Sequence, residues 1–426
     1  MRKLRLLTGT LLAIGAMLIT SCNKAPVQEV AQGVTETTIK IGNAATVSGG
    51  FALVGVPFNA GLKARVAHEN KTKVGGRTIE FITYDDGGLA AQGQQQIERL
   101  VEDDEVFSIV GHFGTWTVGQ TLPYLRDKGI PMVYAATGIN QLYFEESVGN
   151  PIFAVQPIYR TEGRLLVARV LKEVELFGTV DKLGVIYTTE DAGYSIKVGV
   201  DDQLKAMKKE SIAVYQAVAP GTDYSAAATA MKDAGVKAII VATNQVYFGG
   251  IATAVSAIDL KVPLLTSYVS AATGYIPEAV VNNGVDVYTN AWVDLTTEKG
   301  IAGFTVFSQH ILAAKEEGVI DDTEFSYATN PALSAFAIAG YIAGDIFITG
   351  LKRVDAADKV LNWENYIAAL EDGLIDFPMG GPVDFTNGKR HGLDQLSLLK
   401  ATHDSDGNYF LDVARPIESL DQILAK

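Results

Sequence analysis

Residues 107–117, Phe-Ser-Ile-Val-Gly-His-Phe-Gly-Thr-Trp-Thr, have the types and order best suited to hold a ligand. The first half is apolar and β-branched and ends at Gly111, the pattern of a buried parallel strand. Val118 to Arg126 then has the spacing of a helix. A strand ending in glycine, then Gly114 and Thr115, then a helix, leaves unpaired backbone N–H groups at the carboxyl edge of a sheet. Those donors and the positive end of the helix dipole favour an anion. Ligands of open α/β sheets sit at this edge. An ordinary βα turn without a ligand uses the same residues, so the rest of the chain must decide.

Other chemistry finds less support. Asp85 and Asp86 close a strand and suit acid/base or metal work, or the capping of the next helix. His112 fits a hydrogen-bonded turn residue better than a catalytic base. The five histidines (His68, His112, His310, His391, His403) are scattered, and Cys22 is the one cysteine, so neither a metal site nor an intrachain disulfide is expected. There is no G-x-G-x-x-G with a following acid, no P-loop lysine and no G-x-S-x-G, so an enzyme is not expected and no cofactor is implied. A net charge of −14 argues against nucleic-acid binding.

The elements that would position the turn repeat in order. Strands at 38–47, 78–84, 107–110 and 130–134 alternate with helices at 58–70, 90–102 and 118–128. The alternation restarts with strands at 183–187, 212–217, 238–242 and 263–266, then 286–292. This is α/β, two doubly wound parallel-sheet lobes in tandem. Later come helices at 301–317, 330–351 and 363–371 and strands at 393–401 and 409–415, the 330–351 run being apolar enough for a buried helix. At the N-terminus, Arg2, Lys3 and Arg5 precede an apolar run from Leu6 to Ile19, a leader too short to span a membrane comfortably. Ile19-Thr-Ser-Cys22 resembles the lipobox of bacterial lipoproteins, which implies a signal peptide over 1–22, lipid on Cys22 and a membrane anchor. Residues 23–37 are polar and aperiodic, as a flexible tether is.

Ile39-Lys-Ile-Gly42 with Ser48-Gly49, Tyr84-Asp-Asp86, Ile109-Val-Gly-His112, Gly129-Ile-Pro-Met132, Gly221-Thr-Asp-Tyr224 and Pro378-Met-Gly380, in this order, resemble the leucine/isoleucine/valine-binding proteins. The resemblance implies the type I periplasmic-binding fold, with lobe 1 at 38–156 and 291–380, lobe 2 at 157–290 and 381–426, and a three-crossover hinge. It implies a solute receptor for an ABC importer, on the periplasmic or extracytoplasmic side, with an inner-membrane permease as partner and lobes that close on a small ligand. By position, Gly114, Thr115, Ala136 and Thr137 would hold a ligand carboxylate, with Trp116 as a wall. Tyr194, Asn244 and Tyr268 would contribute from lobe 2. Tyr268 stands where the amino-acid receptors place a glutamate for the ammonium. Two ligands remain open: a branched-chain or other hydrophobic amino acid, with Glu190 or Asp191 taking the ammonium, or an amine-free amide, carboxylic or aromatic acid. A ligand sensor on the same fold is a further alternative.

Overall fold

The computed structural model describes residues 29–426, so the leader and Cys22 lie outside the described residues. Lobe 1 begins with β1 (Thr38–Ala45), α1 (Ala52–Asn70), β2 (Thr78–Asp85), α2 (Ala90–Glu102), β3 (Ser108–Val110), α3 (Thr115–Lys128), β4 (Met132–Val133) and β5 (Ile152–Phe153). The chain crosses to lobe 2 for α4 (Tyr159–Lys172), α5 (Val174–Phe177), β6 (Leu183–Thr188), α6 (Asp191–Ala206), β7 (Ala213–Val218) and α7 (Ser225–Ala234). Next come β8 (Ala238–Ala242), α8 (Gln245–Ala257), β9 (Leu264–Thr266), α9 (Glu278–Asn282) and β10 (Val287–Ala291). It returns to lobe 1 for α10 (Glu298–Glu316), α11 (Asp322–Thr329), α12 (Ser334–Ala356) and α13 (Trp363–Leu370), and ends in lobe 2 with β11 (Gln395–His403), β12 (Tyr409–Ser419) and α14 (Leu420–Leu424).

The sheets run β2-β1-β3-β4-β5 in lobe 1 and β12-β11-β10-β9-β8-β6-β7 in lobe 2. All pairs are parallel except β10 with β11 and β11 with β12. The central strands are apolar without alternation because helices cover both faces; β3 and β8 are buried at every residue. Each lobe has one helix pair packed backbone to backbone through facing glycines. A Cβ on Gly61 of α1 would lie 1.8 Å from the Ala337 carbonyl oxygen, and one on Gly340 of α12 1.8 Å from that of Phe58. In lobe 2, Gly163 of α4 and Gly199 of α6 meet in the same way, at 2.2 Å from Ile196 O and 2.0 Å from Arg160 O. The apolar helix α12 is thus a core element lying on α1.

Several expectations change. Residues 31–34, assigned to the tether, pack on lobe 1: Ala31 N donates to Leu361 O at 3.1 Å, Gln32 Nε2 to Val106 O at 3.0 Å, and Val34 is buried. Helix α3 begins at Thr115 rather than Val118. Asp86 does not cap α2, whose N-cap is Leu89; its Oδ1 accepts from Thr46 Oγ1 at 2.6 Å and Gly88 N at 2.9 Å, bracing the turn after β1. The last crossover falls at 392–394, beyond the 381 boundary. Residues up to Arg390 stay on lobe 1 because that buried guanidinium donates to Asn150 O and Glu371 Oε1, both at 2.6 Å, and lies 4.1 Å from the centre of the Phe153 ring. Gly392 then runs beside the first crossover, and Leu393 N donates to Val155 O at 2.9 Å.

Gly340→Val is expected to lower unfolding free energy by about 3 kcal/mol or more, since the carbonyl it meets is backbone inside a packed helix pair. Gly381→Ala, where nothing approaches a Cβ, is expected to leave it unchanged. Urea unfolding of both variants checks this; equal midpoints would refute the close crossing.

Candidate functional site

The carboxyl edge of the lobe 1 sheet faces lobe 2 across a cavity of about 350 Å³. Gly114 adopts φ 99° at the N-cap of α3, a conformation other residues rarely take. The first intrahelical bond is Val118 N to Gly114 O at 2.9 Å, so the N–H groups of Thr115, Trp116 and Thr117 have no acceptor within the helix. Thr115 is buried, and its Oγ1 lies 3.0 Å from Thr137 Oγ1. The Tyr159 phenol lies beside them, its pKa pushed upward by burial, an effect partly offset by the Thr115 and Thr137 hydroxyls. Three hydroxyls therefore converge beside a helix N-terminus.

The local sequence explains this convergence. Ala136 N donates to His112 O at 2.8 Å, holding the 135–138 loop against the 111–114 turn. Gly138 lets Tyr159 approach: a Cβ there would lie 2.6 Å from Pro157 O and 2.8 Å from both Tyr159 Cδ1 and the Tyr268 hydroxyl. His112 is buried with Nδ1 3.0 Å from Ala44 O and Nε2 2.9 Å from Thr121 Oγ1. Desolvation lowers its pKa to about 4, so it is a neutral bracket of the turn. Trp116 lines the cavity, donates from Nε1 to Gly88 O at 2.7 Å and meets Phe51 edge-on at 5.2 Å.

From lobe 2, Asn244, Gln245 and Tyr268 reach the cavity. The Tyr268 hydroxyl accepts from Gln156 Nε2 at 2.8 Å and donates to Pro157 O at 2.9 Å, which ties it to the first crossover. Asn244 Oδ1 and Gln245 Oε1 are buried without a hydrogen-bond partner. Gly114, Thr115, Trp116 and Ala136 also line the cavity, whereas Thr137 stands behind Thr115. Tyr194 is not among the lining residues: it sits on α6, 49% exposed, with its ring 5.7 Å from that of Tyr187. Glu190 is consumed as the N-cap of α6, accepting from Ala192 N at 2.8 Å, Gly193 N at 3.1 Å and Thr188 Oγ1 at 2.7 Å. Asp191 is exposed in the next position. Among the described residues lining the cavity there is no Asp, Glu, Lys, Arg or His. At the mouth the lobes touch through apolar groups, with Tyr275 of lobe 2 edge-on to Phe336 of α12 at 6.1 Å.

Glu162, in the first turn of α4, escapes sequence reasoning. It is fully buried and accepts from Ser267 Oγ at 2.6 Å, Tyr268 N at 2.6 Å and Asn290 Nδ2 at 3.2 Å. Desolvation, partly offset by these bonds, raises its pKa to about 7. Nothing in the run Tyr-Arg-Thr-Glu-Gly marks it apart from a surface carboxylate.

Two parallel-sheet lobes, three crossovers and a cavity at the facing strand ends define a two-lobed solute receptor. The sequence profile of the periplasmic binding proteins matches residues 38–408, and the chain belongs to that family, in the leucine/isoleucine/valine-binding group of ABC transporter receptors. No curated protein sequence matches the chain. Among solved structures it is similar to a fatty acid ABC transporter substrate-binding protein from Thermomonospora curvata (18% identity, 93% of this chain and 96% of that one, TM-score 0.74). It is similar to a branched chain amino acid ABC transporter protein from Thermus thermophilus with bound valine (15%, 91% and 97%, 0.71). A solute binding protein from R. palustris in complex with benzoate is a third (18%, 91% and 99%, 0.68).

The Glu162 shift has a testable sign. From pH 4.5 to about 7 the unfolded chain has lost this proton and the folded chain keeps it, so the group's contribution to stability falls as pH rises through that window. Glu162→Gln is neutral throughout and lacks the fall. Unfolding free energies at about pH 5 and about pH 7.5 are expected to show the gap between variant and parent moving in the variant's favour at the higher pH. A constant gap would refute the raised pKa.

Proposed function

We propose that this chain is the lipid-anchored extracytoplasmic receptor of an ABC importer, and that its ligand is a small apolar or aromatic molecule without an ammonium group. The observation that carries this reading is the uncharged lining. An enclosed ammonium needs a carboxylate, because an unpaired buried charge is very costly. Glu190 is engaged as a helix cap and Asp191 is exposed. A carboxylate or other acceptor needs no cation here: the Thr115 hydroxyl and the N–H groups at the start of α3 can donate to it. Asn244 and Gln245 offer unpartnered side-chain oxygens to a neutral donor group of the ligand, such as a hydroxyl or an amide N–H. Among the similar structures one is named a fatty acid ABC transporter substrate-binding protein, one holds benzoate and one holds valine, so the fold accommodates either class.

The receptor role rests on the family, the anchor on the Cys22 box and the permease partner on both. Thermal-shift screening of leucine, valine and phenylalanine against their amine-free counterparts, 4-methylpentanoate, isovalerate and 3-phenylpropionate, tests the ligand class. Stabilisation by the amine-free acids is expected. Thr115→Ala is expected to weaken their binding about ten- to a hundredfold, from roughly 1.5–3 kcal/mol for a hydrogen bond to a charged group. Stabilisation by the amino acids alone would overturn the reading.

Cys22→Ser is expected to move the protein from the membrane fraction to the soluble fraction of the cell envelope. A variant that stays with the membrane like its parent would refute the anchor.

A further inference from the structure

The cavity is longer than a single amino acid needs. On lobe 2 its lining follows neighbouring strands: Asn244 after β8, Tyr268 after β9, Ala291 at the end of β10, Leu399 on β11 and Leu411 on β12. Four strand spacings of about 4.8 Å place its ends about 19 Å apart across the sheet. The character of the wall changes along that path. Asn244 and Tyr268 are polar, whereas Leu399 and Leu411 are aliphatic and the neighbouring Tyr409 hydroxyl is already engaged, donating to Ile276 O at 3.0 Å. On the lobe 1 side, Ala335 and Ile338 of α12 line the same space. Phe410 and Leu295 also line it, yet they are 37% and 41% exposed, so apolar lining continues out to the surface. Exposed apolar surface continuous with a binding cavity marks a place that something apolar covers.

We propose that the occupant is an elongated amphiphile, a carboxylic acid whose head sits at Thr115 and whose extended apolar chain lies between α12 and the β11–β12 hairpin. This rests on the amine-free reading above and adds the length and direction of the ligand. The chain carries no charge, as the wall requires, and its far end emerges beside Phe410. A branched-chain amino acid would leave the β11–β12 end of the cavity empty.

Titration calorimetry of the purified protein with straight-chain carboxylates from butyrate to dodecanoate tests this. Affinity is expected to rise about fourfold per added methylene, the equivalent of about 0.8 kcal/mol, until the chain reaches the surface. Ala335→Trp, which fills the space beside α12, is expected to weaken the long acids at least tenfold more than the short ones. Leu411→Trp, on a half-exposed strand, provides the same obstruction should the helix variant fail to fold. Short amine-free acids that bind with an affinity indifferent to chain length would overturn the elongated ligand and leave the amine-free reading standing. Binding of leucine or valine with no binding of any acid would overturn both.

Discussion

A carboxylate buried without a cation organises the binding face of lobe 2. Glu162 takes hydrogen bonds from a hydroxyl, a backbone N–H and an amide, supplied by Ser267, Tyr268 and Asn290. Those three residues follow β9 or end β10, while Glu162 itself sits in the helix that follows the first crossover. One side chain therefore sets the strand ends, the start of α4 and the backbone of Tyr268 in a single arrangement. An isolated buried carboxylate is costly, and each of these donors reduces that cost. Because Tyr268 N is one of them, the position of the phenol in the cavity depends on the carboxylate behind it.

The cavity in front is governed by the opposite rule. No lining residue among those described carries a charge, so selectivity comes from hydroxyls, amides and apolar area. Thr115, Thr137 and Tyr159 form one cluster whose protons can rotate toward an acceptor. The Tyr268 hydroxyl is different, since Gln156 and Pro157 already engage it. It is held by the protein at the first crossover.

The alternation of strands and helices was readable because parallel strands between helices are near-continuous apolar runs, as Ala238–Ala242 is. The turn at Gly114 and Thr115 was readable because a strand, a glycine turn and a helix N-terminus must follow one another in the chain, whereas Ala136 came only from the family resemblance. Tyr194 does not line the cavity, because its position on α6 turns the ring toward Tyr187. Strand β5 was missed because it spans only Ile152–Phe153 and lacks a pattern of its own. Glu162 and Arg390 were invisible for a common reason: their sequence neighbours do not reveal the carbonyls, amides and rings that surround them from distant segments. The late third crossover follows from the same blindness, since Arg390 holds its segment to lobe 1 through Asn150 and Glu371.

The glycine crossings determine where the molecule can yield. α1 with α12, and α4 with α6, approach so closely that neither pair can slide without backbone collisions. Each of these helix pairs is therefore held as a unit. Two crossovers run side by side, with Leu393 N bonded to Val155 O. Tyr268 bonds the next two residues of the first, Gln156 and Pro157. A wall residue of the cavity is thus fastened to the first crossover. A ligand group that bonded the Tyr268 hydroxyl would compete with Gln156 and Pro157 for it.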